Sequence, residues 1–270
     1  MRERIETTGP EETIGRLVEF FASAVEKYGR PEALAVGTFG PADLDEESET
    51  YGWIMTTPKP GWSQTDLLGP LRRVLGGIPA VFETDVNAAL LGEVTWGAAR
   101  GCQNAAYLTV GTGIGGGLLV DGKLVHGTGH PEMGHMAVRR HADDDFEGCC
   151  PFHGDCLEGL ASGTALKARW GEGAAELAPD HEGWQWEADY LAQACLNLLM
   201  IAPPERIILG GGVMNQRHLF SLIHARLEKL LGGYLGERGT LENLEEMFRP
   251  PELGDDAGLL GCVALGQGVL

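Results

Sequence analysis

Apolar side chains recur along the chain in two alternating patterns, one typical of amphipathic helices and the other of short buried strands. Residues 14–25 place apolar side chains three and four positions apart, behind an acidic segment and ahead of Gly29, which predicts a helix. Apolar runs predict strands at 33–37, 80–83, 105–110 and 206–209, and helical spacing predicts helices at 67–75, 88–98, beyond Trp184 and at 257–265. Strands that alternate with helices indicate an α/β fold.

Glycine accounts for 41 of the 270 residues, about twice the usual share, and concentrates at 111–117, 127–134 and 210–212. The first cluster lies between two predicted strands, and Asp121–Gly122 is a hairpin-turn signal after it. Successive free N–H groups in such a turn can bind phosphate oxygens, although a hairpin that needs positive φ angles explains the glycines equally well. The cluster has no Gly-Lys-Ser/Thr, as a Walker loop requires, and it does not open a helix, as a dinucleotide fingerprint would.

The formal charge of −19 comes from 20 basic and 39 acidic residues. A chain this acidic repels phosphate backbones, so nucleic-acid binding is not expected. The sequence has no run of 18 apolar residues and no apolar stretch behind its charged start, so neither a membrane span nor a secretory signal is expected. Six cysteines without a disulfide-like arrangement predict a reduced, cytoplasmic protein.

Two groups of polar residues could carry acid–base or hydroxyl chemistry. Asp85 lies where an apolar strand ends and a helix begins, so it is either a helix N-cap or a general base for a substrate hydroxyl. Glu132 and His135 can hydrogen-bond sugar hydroxyls, or Glu132 is an ordinary carboxylate of a surface loop.

The segment Cys150–Cys156 has the spacing C-x2-H-x2-C, with His153 at its centre. Zinc in a structural site takes four tetrahedral nitrogen and sulfur ligands, and this segment supplies three of them. His135, His141 and Cys149 are the candidates for the fourth ligand. Unpaired buried cysteines beside a surface histidine, or a redox-active pair, are the alternatives.

Together these segments resemble the ROK family of sugar kinases, and most closely its zinc-containing bacterial fructokinases. The resemblance runs in family order along nearly the whole chain and is carried by Glu83–Glu93, Thr109–Gly117, His130–His135, Cys150–Gly163 and Ile208–Val213.

The resemblance implies an α/β fold of the actin-like ATPase (ribonuclease H-like) type with two lobes. Residues 1–104, with a C-terminal helix 257–270 packed back on them, are the expected N-terminal lobe. Residues 105–256 are the expected C-terminal lobe, with a zinc-binding loop at 135–156.

The resemblance also implies a function: transfer of the ATP γ-phosphate, with Mg²⁺, to a hexose, most closely fructose, by a homodimer. Asp85 matches the catalytic base. The implied sugar contacts are Gly40, Asn87, Glu132 and His135; the implied ATP contacts are Gly111, Thr112, Gly113, Gly115, Gly210, Gly211, Gly212 and Val213; the implied structural zinc ligands are His135, Cys150, His153 and Cys156.

Members of this family begin with a strand and an Asp-x-Gly-Gly-Thr-Lys turn that approaches the ATP phosphates, and the present sequence has no such turn. The expectation is an incomplete N-terminal lobe and a 270-residue form with reduced kinase activity, because positioning is most of phosphoryl-transfer catalysis. A misplaced start, a truncated product and strands supplied by a partner are the three explanations, of which the first is favoured.

Other functions remain open at this point. The same family includes glucokinases, mannokinases and N-acetylhexosamine kinases. A sugar-sensing repressor would carry a basic helix-turn-helix, which this acidic chain lacks. A catalytically inactive sugar- or zinc-binding protein is the third possibility.

Overall fold

A computed structural model of the chain describes residues 1–268 and has a mixed α/β architecture. The helices are α1 (Pro10–Tyr28), α2 (Leu68–Val74), α3 (Asp85–Trp96), α4 (Leu157–Ala161), α5 (Gly163–Trp170), α6 (Gly183–Ile201), α7 (His218–Leu231), α8 (Leu241–Met247) and α9 (Ala257–Gly268). The strands are β1 (Leu34–Thr38), β2 (Trp53–Ile54), β3 (Thr65–Asp66), β4 (Ala80–Thr84), β5 (Ala105–Val110), β6 (Ile114–Val120), β7 (Lys123–Leu124), β8 (Arg206–Gly210) and β9 (Phe248–Arg249).

The chain divides into two compact units, each with its own apolar core. The first unit contains Met1–Gly92, His126–His130 and the C-terminal segment from Gly258. In it β1 pairs in parallel with β4, β2 pairs antiparallel with β3, and Leu34, Ile54 and Phe82 belong to the core. The predicted lobe boundaries, 1–104 with 257–270 and 105–256, remain a prediction.

The second unit contains Glu93–Val125 and Pro131–Ala257 and is built on a five-stranded sheet of order β7-β6-β5-β8-β9. The central strand β5 pairs antiparallel with β6 and parallel with β8. The helix α6 is buried around most of its circumference and supplies Trp184, Tyr190 and Leu191 to the core of this unit. Among residues 1–268, no helix combines the length and the apolar character that crossing a bilayer requires.

The predicted glycine turn at 111–117 is wrong in its extent. The turn occupies only residues 111–113, and Gly115 pairs with Thr109 as part of β6. A Cβ atom on Gly116 would lie 2.5 Å from the Met133 sulfur, so this glycine allows a neighbouring segment to pack against the strand. The turn predicted at Asp121–Gly122 is confirmed, since both residues have positive φ angles and join β6 to β7.

The helix α9 lies very close to α3 in the first unit, and this approach yields a prediction. A Cβ atom on Gly261 would lie 1.6 Å from the Ala88 carbonyl oxygen, whereas one on Gly258 would meet nothing nearer than 3.9 Å. We expect Gly261→Ala to lower the free energy of unfolding by about 1–3 kcal/mol through overpacking. The matched Gly258→Ala should leave it unchanged or raise it by up to about 1 kcal/mol through helix propensity. Urea unfolding measures both, and equal values for the two variants would contradict the close approach.

Candidate active site

Asp85 is the first residue of α3 and follows β4 without an intervening residue. Its carboxylate accepts hydrogen bonds from the backbone N–H groups of Val86 and of Asp85 itself. Although the side chain opens to solvent, protein atoms crowd the carboxyl, and the resulting loss of hydration raises its pKa. The two N–H groups and the nearby charges of His130 and Lys59 oppose that rise without cancelling it. A carboxyl group with a raised pKa at a helix start is suited to accept a proton from a hydroxyl.

Two residues before Asp85 lies a buried carboxylate, Glu83, whose role was not predicted from the sequence. Glu83 Oε1 accepts hydrogen bonds from the Thr84 N–H at 2.7 Å and from Asn87 Nδ2 at 2.9 Å. Glu83 Oε2 lies 2.6 Å from His126 Nε2. The one available sequence signal was a glutamate inside an otherwise apolar strand. Asn87, predicted as a sugar contact, is fully buried on this carboxylate.

Gly40 lies against His130 within the same unit. A Cβ atom on Gly40 would come within 2.7 Å of the imidazole, and His130 Nε2 accepts a hydrogen bond from the Ala42 N–H at 3.1 Å. The Lys59 ammonium lies 4.0 Å from the centre of the Phe39 ring. The first unit thus contains Gly40 and Asp85 together with His130 and Lys59, which were not predicted as site residues.

In the second unit, a tight glycine turn exposes backbone donors. The Gly111 N–H donates to the Gly113 carbonyl, and Gly163 N–H and Thr164 Oγ1 donate to the carbonyls of Gly111 and Thr112. Glu158 Oε2 accepts the Ile114 N–H at 2.9 Å. No intramolecular acceptor is described within residues 1–268 for the N–H groups of Thr112 and Gly113. These groups are therefore free to donate to an anion such as a phosphate.

A second glycine turn, at the end of β8, packs beside the first. A Cβ atom on Gly211, where φ is 90°, would lie 2.4 Å from the Val110 carbonyl oxygen. A Cβ atom on Gly210 would lie 2.4 Å from the Tyr107 hydroxyl. Gly212 follows in the same turn and Val213 is buried beneath it. The backbone is thus left uncovered by side chains, as close approach of a ligand requires.

The most complete site for a ligand is a cluster of His135, Cys150, His153 and Cys156, whose ligand atoms all lie within 4.8 Å of one another. The Cys150 sulfur is 3.7 Å from Nδ1 of both histidines, and the Cys156 sulfur is 3.5 Å from His135 Nδ1. Zinc bonds of about 2.3 Å to sulfur and 2.0–2.1 Å to nitrogen in a tetrahedron place such atoms about 3.5 Å apart. The cluster therefore fits a tetrahedral zinc ion.

The other candidates for the fourth ligand are engaged elsewhere. His141 stacks on Trp186 at a ring separation of 5.6 Å, and the Cys149 thiol hydrogen-bonds the Ser162 side chain. Burial raises the pKa of Cys156 to about 11, so its thiol keeps its proton at neutral pH until a cation displaces it.

The segment Glu132–His135 connects this cluster to the glycine turn at 111–113. Glu132 is exposed and precedes a single helical turn, Met133–His135, whose His135 N–H it caps through its carbonyl. A Cβ atom on Gly134 would lie 1.9 Å from the Ile114 carbonyl oxygen. The cluster ligand His135 and the exposed Glu132 are thereby held against the residue that follows the turn 111–113.

Comparison with known proteins identifies the family. A sequence model of the ROK family matches residues 1–269. The chain belongs to the ROK family. A putative fructokinase of Bacillus subtilis is 44% identical over 270 residues, covering 99% of this chain and 88% of that protein. A fructokinase of Zymomonas mobilis is 45% identical, covering 97% of this chain and 87% of that protein.

The solved structures agree with this assignment. The ROK hexokinase of Thermus thermophilus has 30% sequence identity and a TM-score of 0.75, covering 97% of this chain and 88% of that one. The ROK chain described here thus has the actin-like ATPase fold and is a sugar kinase of that family.

The cluster geometry predicts one bound zinc ion per ROK chain. Cys156→Ser should remove it, because the Cys156 sulfur is one of the four atoms that could hold the ion, whereas Cys149→Ser should retain it. Elemental analysis of the purified variants measures the zinc content. Loss of zinc from the Cys149 variant and retention in the Cys156 variant would contradict the assignment of ligands.

Proposed function

We propose that this chain transfers the γ-phosphoryl group of ATP to D-fructose and forms fructose 6-phosphate, with Asp85 as the general base. The position of Asp85 at the β4–α3 junction, with a raised pKa, is the observation that carries the proposal. Fructose is proposed because relatives at 44% and 45% identity bear the names putative fructokinase and fructokinase.

In the proposed reaction, a fructose hydroxyl oxygen attacks the γ-phosphorus while its proton passes to the Asp85 carboxylate. A phosphorus–oxygen bond forms to the sugar, and the bond between the γ-phosphorus and the ADP oxygen breaks. A carboxylate with a raised pKa is the stronger base, which favours this proton transfer.

The second unit supplies the proposed binding sites for the nucleotide. The N–H groups of Thr112 and Gly113 donate to phosphate oxygens, Gly115 stands behind the turn in β6, and the turn Gly210–Val213 receives the adenosine. Mg²⁺ bound together with ATP would supply neutralisation of the charge on the transferred group.

The proposed sugar contacts are Gly40 and Asn87 in the first unit and Glu132 and His135 in the second. His135 directs Nδ1 towards the two cysteine sulfurs, which leaves Nε2 on the opposite side of the ring for a hydroxyl. Zinc would hold His135, and with it the exposed Glu132, in a fixed orientation. The proposed role of the zinc ion is structural.

We further propose that the chain is a cytoplasmic homodimer. Light scattering measures its mass in solution.

Removing the base tests the catalytic assignment. Asp85→Asn keeps the size of the side chain and cannot accept the proton, so we expect kcat for fructose to fall by about 10²–10⁴-fold. The exposed Asp180→Asn is the matched control and should retain full activity. ADP release with fructose measures both variants. Full activity of Asp85→Asn would refute the assignment of the base.

The raised pKa of Asp85 also predicts a pH dependence. Only the ionised carboxylate accepts a proton, so kcat should fall as the pH is lowered through the pKa of Asp85. Because burial raises that pKa, the midpoint of the acid limb should lie above the ordinary value of 3.8. The pH profile of kcat measures this midpoint, and an acid limb at or below 3.8 would contradict the environment described for Asp85.

A further inference from the structure

Glu83 is a buried carboxylate that the proposed reaction does not use. Its side chain is 5% exposed, and hydrogen bonds from a backbone N–H and a carboxamide reach one of its oxygens. Burying a carboxylate is costly unless its charge is compensated. The fold therefore compensates the Glu83 charge with several N–H donors.

The groups bound to Glu83 lie on both sides of Asp85 in the chain. Thr84, whose N–H is bound, immediately precedes Asp85, and Asn87, whose carboxamide is bound, follows it by two residues. Thr84 Oγ1 in turn accepts the Asn87 N–H at 3.2 Å. The last peptide of β4 and the first turn of α3 are thus tied to one carboxylate, and the orientation of Asp85 depends on both.

His126 completes this arrangement from a distant part of the chain. Its Nε2 lies 2.6 Å from Glu83 Oε2, and its side chain is 40% exposed. His126 belongs to the short segment His126–His130, which is part of the first unit. The segments before and after it in the chain are part of the second unit. The same segment contributes His130, whose Nε2 accepts the Ala42 N–H.

The orientation of Asn87 follows from the same carboxylate. Because Nδ2 must donate to Glu83, Oδ1 is turned the other way, and this oxygen is buried with no partner among residues 1–268. A donor supplied from outside the described residues, such as an internal water, is what this oxygen requires. Glu83 thus holds the Asn87 side chain two residues beyond the proposed base, and the role of Asn87 as a sugar contact stays a prediction.

We infer that His126 and Glu83 form a positioning pair for the proposed base, with His126 holding Glu83 so that Glu83 holds the residues on either side of Asp85. The inference rests on the proposed function and assigns to it two residues that do not touch the sugar or the nucleotide. Displacing a catalytic group by about 1 Å can cost about 10²-fold in rate. The pair should consequently act on kcat and leave substrate binding nearly unchanged.

The experiment compares His126→Ala with the conservative His126→Gln, whose amide N–H replaces the imidazole donor. His141→Ala, which removes an imidazole from the second unit, is the matched control. We expect His126→Ala to lower kcat for fructose by about 10²-fold with KM values within about 3-fold of the unaltered chain. His126→Gln should remain within about 10-fold, and added imidazole should partly restore His126→Ala, since the exposed side chain leaves an accessible space.

A structural measurement separates this inference from the proposed function. Hydrogen exchange of residues 83–87 should be faster in His126→Ala and unchanged in His141→Ala, whether or not the chain phosphorylates fructose. An unaltered chain without fructose kinase activity would refute the proposed function alone. Unchanged kcat in His126→Ala, a loss expressed in KM, or unchanged exchange at 83–87 would overturn the positioning role.

Discussion

The direct passage from the strand β4 into the helix α3 is the constraint on which the candidate site depends. Thr84 ends the strand and Asp85 begins the helix, so the carboxylate receives the free N–H groups of a helix start while protein atoms still restrict its hydration. The N–H groups of the helix start lower the pKa of Asp85, and the loss of hydration raises it. The loss of hydration is the larger of the two effects. A base suited to a hydroxyl proton results from this balance.

Close backbone approaches surround the glycine turn 111–113 of the second unit. Gly134 lies against the carbonyl of Ile114, and Gly211 lies against that of Val110, at positions where any side chain would collide. Both contacts flank the turn 111–113, and the cysteine–histidine cluster begins one residue after Gly134. At these two positions glycine therefore reflects dense packing around the proposed phosphate site.

Local patterns in the sequence predicted the helix α1, the strand β5 and the strand–helix junction at Asp85, because each depends on apolar spacing within a few residues. The ligand cluster was also predictable, apart from the choice of fourth ligand, since three ligands lie within seven residues. Contacts between distant residues were not predictable. Glu83 and His126 are 43 positions apart, and Ile114 and Glu158 are 44 apart. The strands β2 and β3 are two residues each, too short for any periodicity.

The identity of the phosphorylated sugar tests the central claim most directly. The chain is incubated with ATP, Mg²⁺ and equimolar fructose, glucose, mannose and N-acetylglucosamine, and the products are identified by ³¹P–¹H correlation NMR. We predict fructose 6-phosphate as the dominant product. A predominance of any other sugar phosphate, or the absence of every sugar phosphate, would contradict the proposal.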